Sequence, residues 1–163
     1  MAKKKKQKNS YLPLLSAVLG LVSVVMIFLT VVNHTAFKGI ESMESVKGFT
    51  GLQTALGYSE GEFVKATVFE FSIMNFLPYV LALVGAVLSV FSYLGKGNKL
   101  FAFVSAGCFI VSAVLFFIYP SFIILPKVTV LVKENFSLAI GAIIGGIASV
   151  IAGLISLATC IKK

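Results

Sequence analysis

Ser137–Ile161 reads SLAIGAIIGGIASVIAGLISLATCI, a run without one Asp, Glu, Lys, Arg or His. At 1.5 Å per residue, about 20 helical residues cover the roughly 30 Å of a bilayer's hydrocarbon core. Lipid offers the backbone no hydrogen-bond partner, so a run of this kind must close its own bonds as a helix. Gly141, Gly145, Ser149 and Gly153 recur in it at every fourth position, with Ala142 and Gly146 alongside. Between helices in lipid the hydrophobic drive is small, and small residues at this spacing let two backbones approach. The stripe reads as contact inside one bundle or, alternatively, as a surface for a second copy or a partner.

Three earlier runs have the same character: 11–32, 71–94 and 100–119, none with an ionisable interior residue. Each offers small residues of its own: Ser16 and Gly20; Ala82 with Ala86 and Gly85 with Ser89; Ala102 with Ala106. The whole chain of 163 residues is 58% hydrophobic and 12% charged, with a mean hydropathy of +1.02. A soluble domain carries about 25% charged residues, so a soluble globular fold is excluded. Disorder, which needs low hydrophobicity, goes with it. The predicted fold class is an all-α integral membrane protein, a four-helix transmembrane bundle with a small extracellular β-sheet. The first run follows a basic leader and so invites comparison with a secretion signal. Its apolar core exceeds the roughly 7–15 residues of a signal, and no A-x-A follows Val32. It reads as a retained helix.

All fourteen basic residues are lysine. With four spans at 11–32, 71–94, 100–119 and 137–161, both termini share a side with the 95–99 turn. That side holds nine lysines and no acid; the other holds five lysines and all six glutamates. Lysine-rich short segments stay in the cytoplasm. The expected location is the plasma membrane, multi-pass, with residues 1–10 and 162–163 cytoplasmic and loops 33–70 and 120–136 outside. Lys3, Lys4, Lys5, Lys6 and Lys8 set this orientation and meet anionic lipid headgroups, at about 1 kcal/mol per lysine. Without arginine there is no bidentate reader of bases or phosphates, so nucleic acid is not an expected partner. Lysine without arginine is also the usage of an AT-rich genome, which points to a low-GC bacterium.

Gly95-Lys96-Gly97-Asn98-Lys99 predicts a tight turn, making the second and third helices an antiparallel hairpin. The loop 33–70 is long enough to hold structure of its own. Phe63–Phe71 is rich in β-branched and aromatic residues and predicts a strand, as does Lys127–Lys133. The two are expected to pair. Residues 58–62 read as a turn, and residues 35–47 equally as helix or strand.

Pro78 is expected to kink the second helix by removing the bond to Met74. Asn75, one turn away, reads as a hydrogen bond to a neighbouring helix or as a contact for an ion or substrate. No span contains the embedded acid that a transporter or proton path uses. Cys108 and Cys160 lie apart in apolar runs and read as packing residues. His34 stands without a ligand-type neighbour and reads as an interfacial residue of no special role. No Walker or dinucleotide motif and no Ser/His/acid set is present, so neither an enzyme, a cofactor nor a metal is expected.

The layout resembles the claudin-like tetraspan architecture: a first helix, a long outer loop, a tight inner hairpin, a shorter outer loop and a fourth helix. Gly51-Leu52-Gln53 stands where that group carries glycine-leucine-tryptophan; the tryptophan is absent, and so are the two loop cysteines. The resemblance implies that the outer loops join in a small antiparallel sheet. The chain is also similar to small four-span proteins of low-GC bacteria, a likeness that implies no activity. The functional expectation is a non-enzymatic membrane protein whose extracellular part binds a membrane or extracellular protein, or which serves as an accessory subunit. The alternative is an oligomeric channel or transporter subunit, with the Gly141–Gly153 stripe at its contacts and Asn75 and Pro78 near a pore.

Overall fold

Residues 11–36, 45–60, 66–95, 98–127 and 131–161 are described by the computed structural model. The helices are α1 (Leu12–Val25), α2 (Gly51–Leu56), α3 (Ile73–Tyr93), α4 (Asn98–Phe117) and α5 (Ile140–Ile161). Of these, α3, the Lys99–Phe117 stretch of α4, and α5 are long and apolar enough to cross a membrane. Ser72 caps α3, its hydroxyl accepting the Asn75 N–H at 3.4 Å. Pro13 opens α1, where its missing N–H costs nothing.

The first apolar run departs from expectation. It is helical only to Val25, continues as one 3-10 turn over Met26–Phe28, and from Thr30 becomes strand β1 (Thr30–Ala36). Thr30-Val31-Val32 is β-branched, which favours a strand over a helix. Val31 and Val32 are completely buried there, inside protein.

β1 is the centre of an antiparallel sheet, ordered β2-β1-β5, with β2 (Ser45–Thr50) and β5 (Phe136–Leu138) at its edges. Asn33 lies opposite Gly48 on one side and Ser137 on the other. The sheet therefore joins the segment after α1 to the segment before α5. A separate hairpin pairs β3 (Tyr58–Glu60) with β4 (Ala66–Phe69). Of the expected strands Phe63–Phe71 and Lys127–Lys133, the described part of the first pairs with β3. β4 turns back on the segment predicted as a turn, and the later strand falls at Phe136–Leu138. Residues 63–65 and 128–130 lie outside the described residues, while Leu131 and Val132 are irregular and Lys133–Asn135 forms a 3-10 turn. Among the described residues, Glu70 N–H donates to Ile124 C=O at 3.1 Å, just ahead of the second of these segments. In 35–47, both described ends are extended, within β1 and β2.

α1 packs against α3 and α5, and α4 against the same two. Phe109 of α4 fills the middle. A Cβ on Gly20 would meet its ring at 2.6 Å, and one on Gly85 at 2.9 Å. Two layers of hydroxyls flank this ring. In one, Ser16, Ser89, Ser105 and Ser156 come from four different helices; Ser16 and Ser156 oxygens are 2.7 Å apart, as are those of Ser89 and Ser105. Ser16 donates to Ala152 C=O and Ser105 to Gly85 C=O, both at 2.8 Å. In the other, Ser149 donates to Ser23 at 3.0 Å, Ser23 to Gly145 C=O at 3.0 Å, and Ser112 to Pro78 C=O at 2.8 Å. Ser16 and Ser23, Ser105 and Ser112, and Ser149 and Ser156 are each seven residues apart, the repeat that keeps one seam facing its neighbours. Interhelical hydrogen bonds of this kind contribute about 0.6 kcal/mol each in lipid, up to about 1.7.

Candidate functional site: the sheet-capped end

The sheet, α2 and the hairpin cap one end of the packed helices. Their core is aromatic. Phe49 of β2 meets Phe69 of β4 edge-on, ring centroids 4.7 Å apart, and Phe136 of β5 lies 5.9 Å from Phe69. Three strands distant in sequence thus share one cluster. Beneath it, Tyr79 of α3 packs edge-on against Phe116 of α4 at 5.1 Å.

α2 starts with a reciprocal cap: Thr50 N–H donates to Gln53 Oε1 at 2.9 Å, and Gln53 N–H to Thr50 Oγ1 at 3.4 Å. It ends at Gly57, whose φ of +90° suits only glycine without strain. Held this way, α2 lays Thr54 into a buried polar seam. Thr54 Oγ1 donates to Thr50 C=O at 3.0 Å and lies 3.0 Å from the Tyr119 hydroxyl, which also reaches Gly51 C=O at 3.4 Å. Asn75 Nδ2 donates to Thr54 C=O at 3.4 Å. Among the described residues Asn75 Oδ1 is buried without a hydrogen-bond partner, and the buried Tyr79 hydroxyl interacts with that of Tyr119. Gly51 is required here, because a Cβ would collide with the Tyr79 hydroxyl and stand 2.9 Å from Ile27 Cα.

His34, expected at an interface, instead sits buried in the central strand, 4.7 Å from the Phe136 ring and opposite Lys47. Val132 N–H donates to its Nε2 at 3.3 Å, a bond that only the neutral ring can accept. Burial holds its pKa below the ordinary value of 6.5.

Two features of the cap face outward. β2 pairs, among the described residues, only with β1; Ser45, Val46, Lys47 and Gly48 are all exposed, Val46 to 64%. Lys47 bridges from this edge to Glu60 of the hairpin at 2.6 Å. On the opposite side, an open cleft of about 500 Å³ is lined by Pro120, Ser121, Lys133, Glu134 and Phe136.

The residues singled out from sequence are distributed as follows. Asn75 and Pro78 are buried in α3, Asn75 in the seam and Pro78 with its carbonyl bonded to Ser112. Gly141, Gly145, Ser149 and Gly153 are buried on α5, against Thr30, Phe116, Ser23 and Ile110 respectively. They face the interior of this chain and do not meet Asn75. Lys3, Lys4, Lys5, Lys6 and Lys8 lie outside the described residues. The reading of the sequence passed over Thr54, Tyr79 and Tyr119. A signal existed for Tyr79, which stands four residues after Asn75 and so on the same helix face. Comparison with family models, curated proteins and solved structures finds no match.

Proposed function

We propose that this chain is a four-span, non-enzymatic membrane protein with both termini in the cytoplasm, whose capped end lies outside and docks a protein partner along β2. α1 with its 3-10 turn reaches about 27 Å, close to the hydrocarbon thickness. It packs beside three helices of membrane-crossing length, which supports a fourth span. A sheet joining both outer segments also accords with the claudin-like resemblance.

The observation that carries the reading is the edge of β2. An exposed edge strand presents a row of backbone donors and acceptors, which a partner's extended segment can extend. Val46, projecting from that edge, supplies an apolar contact. The channel alternative is disfavoured for a single chain, since Phe109 occupies the axis where a pore would run. The test is a photo-crosslinking side chain at Val46 in native membranes, with one at Leu154 on the lipid-facing side as control. The expected result is a discrete protein adduct from Val46 alone. Adducts of equal pattern from both positions, or lipid adducts only, overturn the reading.

A further inference from the structure

The cleft of about 500 Å³ adjoins a second cavity of about 240 Å³, and Ser121 and Lys133 line both. Glu134 lines only the larger; Ile73, Met74, Phe122 and Ile124 line only the smaller. The pair lies where α3 begins and α4 has just ended, at one common boundary of the apolar spans. In a bilayer that level is the headgroup region flanking the hydrocarbon core.

Both walls are held in shape. On one, the Ser72 hydroxyl donates to Phe122 C=O at 2.8 Å, tying the 3-10 turn Tyr119–Phe122 to the start of α3. On the other, Val132 N–H donates to His34 Nε2 at 3.3 Å and Asn135 N–H to Val132 C=O at 3.1 Å. These bonds set the turn carrying Lys133 and Glu134 against the central strand. A cleft braced on both sides is preorganised for a ligand.

The chemistry along it is ordered. Ile73, Met74 and Ile124 are exposed apolar side chains. Lys133 follows at the junction, and Glu134 belongs to the larger part alone. Among the described residues these two are the ionisable ones lining the cavities, and neither forms an ion pair. Neighbouring unpaired charges of opposite sign match a ligand that carries both. A free phosphate uses Lys133 and leaves the apolar part untouched. A purely anionic lipid meets Glu134 as a like charge. A zwitterionic phospholipid has all three groups in the order found: acyl chain, phosphate, ammonium.

We propose that this cleft seats one phospholipid with an amine-bearing zwitterionic headgroup. Its phosphate accepts from Lys133 Nζ and the Ser121 hydroxyl, its ammonium donates to the Glu134 carboxylate, and its first acyl methylenes lie on Ile73, Met74 and Ile124. A primary ammonium donates charge-assisted hydrogen bonds to a carboxylate and a quaternary one does not, so ethanolamine is favoured over choline. The proposal rests on the reading that the long helices cross a bilayer, and not on the contact at β2.

The test uses the full chain in phosphatidylcholine nanodiscs, with a trace of phosphatidylethanolamine carrying a photoreactive group near the head of one acyl chain. Adducts are mapped by mass spectrometry, with exposed Ile140 at the start of α5 as a control at the same boundary. Adducts should concentrate at Ile73, Met74 or Ile124, and matching phosphatidylcholine and phosphatidylglycerol probes should label there several-fold less. Lys133→Gln and Glu134→Gln, both changes of exposed residues, should each lower cleft labelling about fivefold, the effect of one charge at a lipid surface, with Ile140 unchanged. The probe comparison on the unaltered chain needs neither variant. Equal labelling by the three probes, or cleft labelling that both variants leave unchanged, overturns the proposal in favour of ordinary boundary lipid. Strongest labelling by phosphatidylglycerol overturns it in favour of a plain anion site, and loss of labelling on adding inorganic phosphate in favour of free phosphate. Adducts at Ile140 with none in the cleft overturn this proposal alone; adducts at neither overturn the bilayer reading with it.

Discussion

The interior of the four packed helices and the interior of the cap are built on opposite plans. Between the helices, small residues bring backbones together and serines bond across to carbonyls of Ala152, Gly145, Gly85 and Pro78. Each helix closes its own backbone bonds, so side chains only have to set distance and angle. In the cap, backbone bonds run between segments far apart in sequence, such as Ala139 N–H to Val31 C=O at 2.9 Å. There large rings fill the space, and polar side chains act as hinge pins between strands and helices. One region rests on close backbone approach around a central ring; the other rests on backbone bonds between distant segments and on the rings packed over them.

The sharpest way to break that contrast is to change size between the helices. Phe109→Ala should cost about 3–5 kcal/mol, because helices held by backbone bonds and serines collapse only in part around the void. Thermal unfolding in detergent measures it, and a loss under about 1 kcal/mol would mean that Phe109 is not the central filler. Next comes Gly51→Ala in the cap, expected at about 1–3 kcal/mol from overpacking against Tyr79 and the Ile27 backbone. Retained stability would show that α2 slides freely over α3.

Hydroxyl removal is predicted to be milder. Ser105→Ala should cost about 0.6–1.7 kcal/mol, since Ser89 and Gly85 C=O lose a common partner. A double-mutant cycle with Ser16→Ala reports whether the layer acts as one network.

The cap should respond to acid where the helices do not. His34 is held neutral when folded, with a pKa below 6.5. Its contribution is complete above 6.5 and declines as pH falls from 6.5 through the lowered folded value, because the unfolded chain then binds the extra proton. Among the described residues, Lys47 lies across the strand, itself paired with Glu60, and Lys133 and Glu134 follow Val132 in the chain. His34→Gln should flatten the stability profile across that window; an unchanged slope would assign the acid sensitivity elsewhere. Smallest is Lys47→Ala. A half-exposed pair contributes well under 1 kcal/mol, and that little should vanish in high salt.

The three long helices were legible because length and apolarity suffice to specify a helix in lipid. The end of α1 was not. Thr30-Val31-Val32 is as apolar as what precedes it, and hydropathy does not distinguish burial in a sheet from burial in a bilayer. Strand tendency at Phe63–Phe71 was visible over Ala66–Phe69, but its partner was not, because β-propensity names no mate. The same limit hid β5 at Phe136–Leu138, three residues long and directly before α5. In the seam, Asn75 stood out as a polar residue in an apolar run. Tyr79 and Tyr119 did not, since tyrosines near helix ends pass as ordinary interfacial rings. The seven-residue serine spacing lay open in the sequence, masked by the louder glycine stripe on α5.

Sequence alone determined the solvent for which this chain is built and where its long helices run, because lipid imposes internal backbone bonding on any sufficiently long apolar segment. Only the tertiary structure decided which faces of those helices meet each other, and which strands meet in the cap. When inside and outside are equally apolar, no hydrophobic periodicity marks the buried face; shape, a serine reaching a neighbour's carbonyl, and long-range strand pairing make that choice.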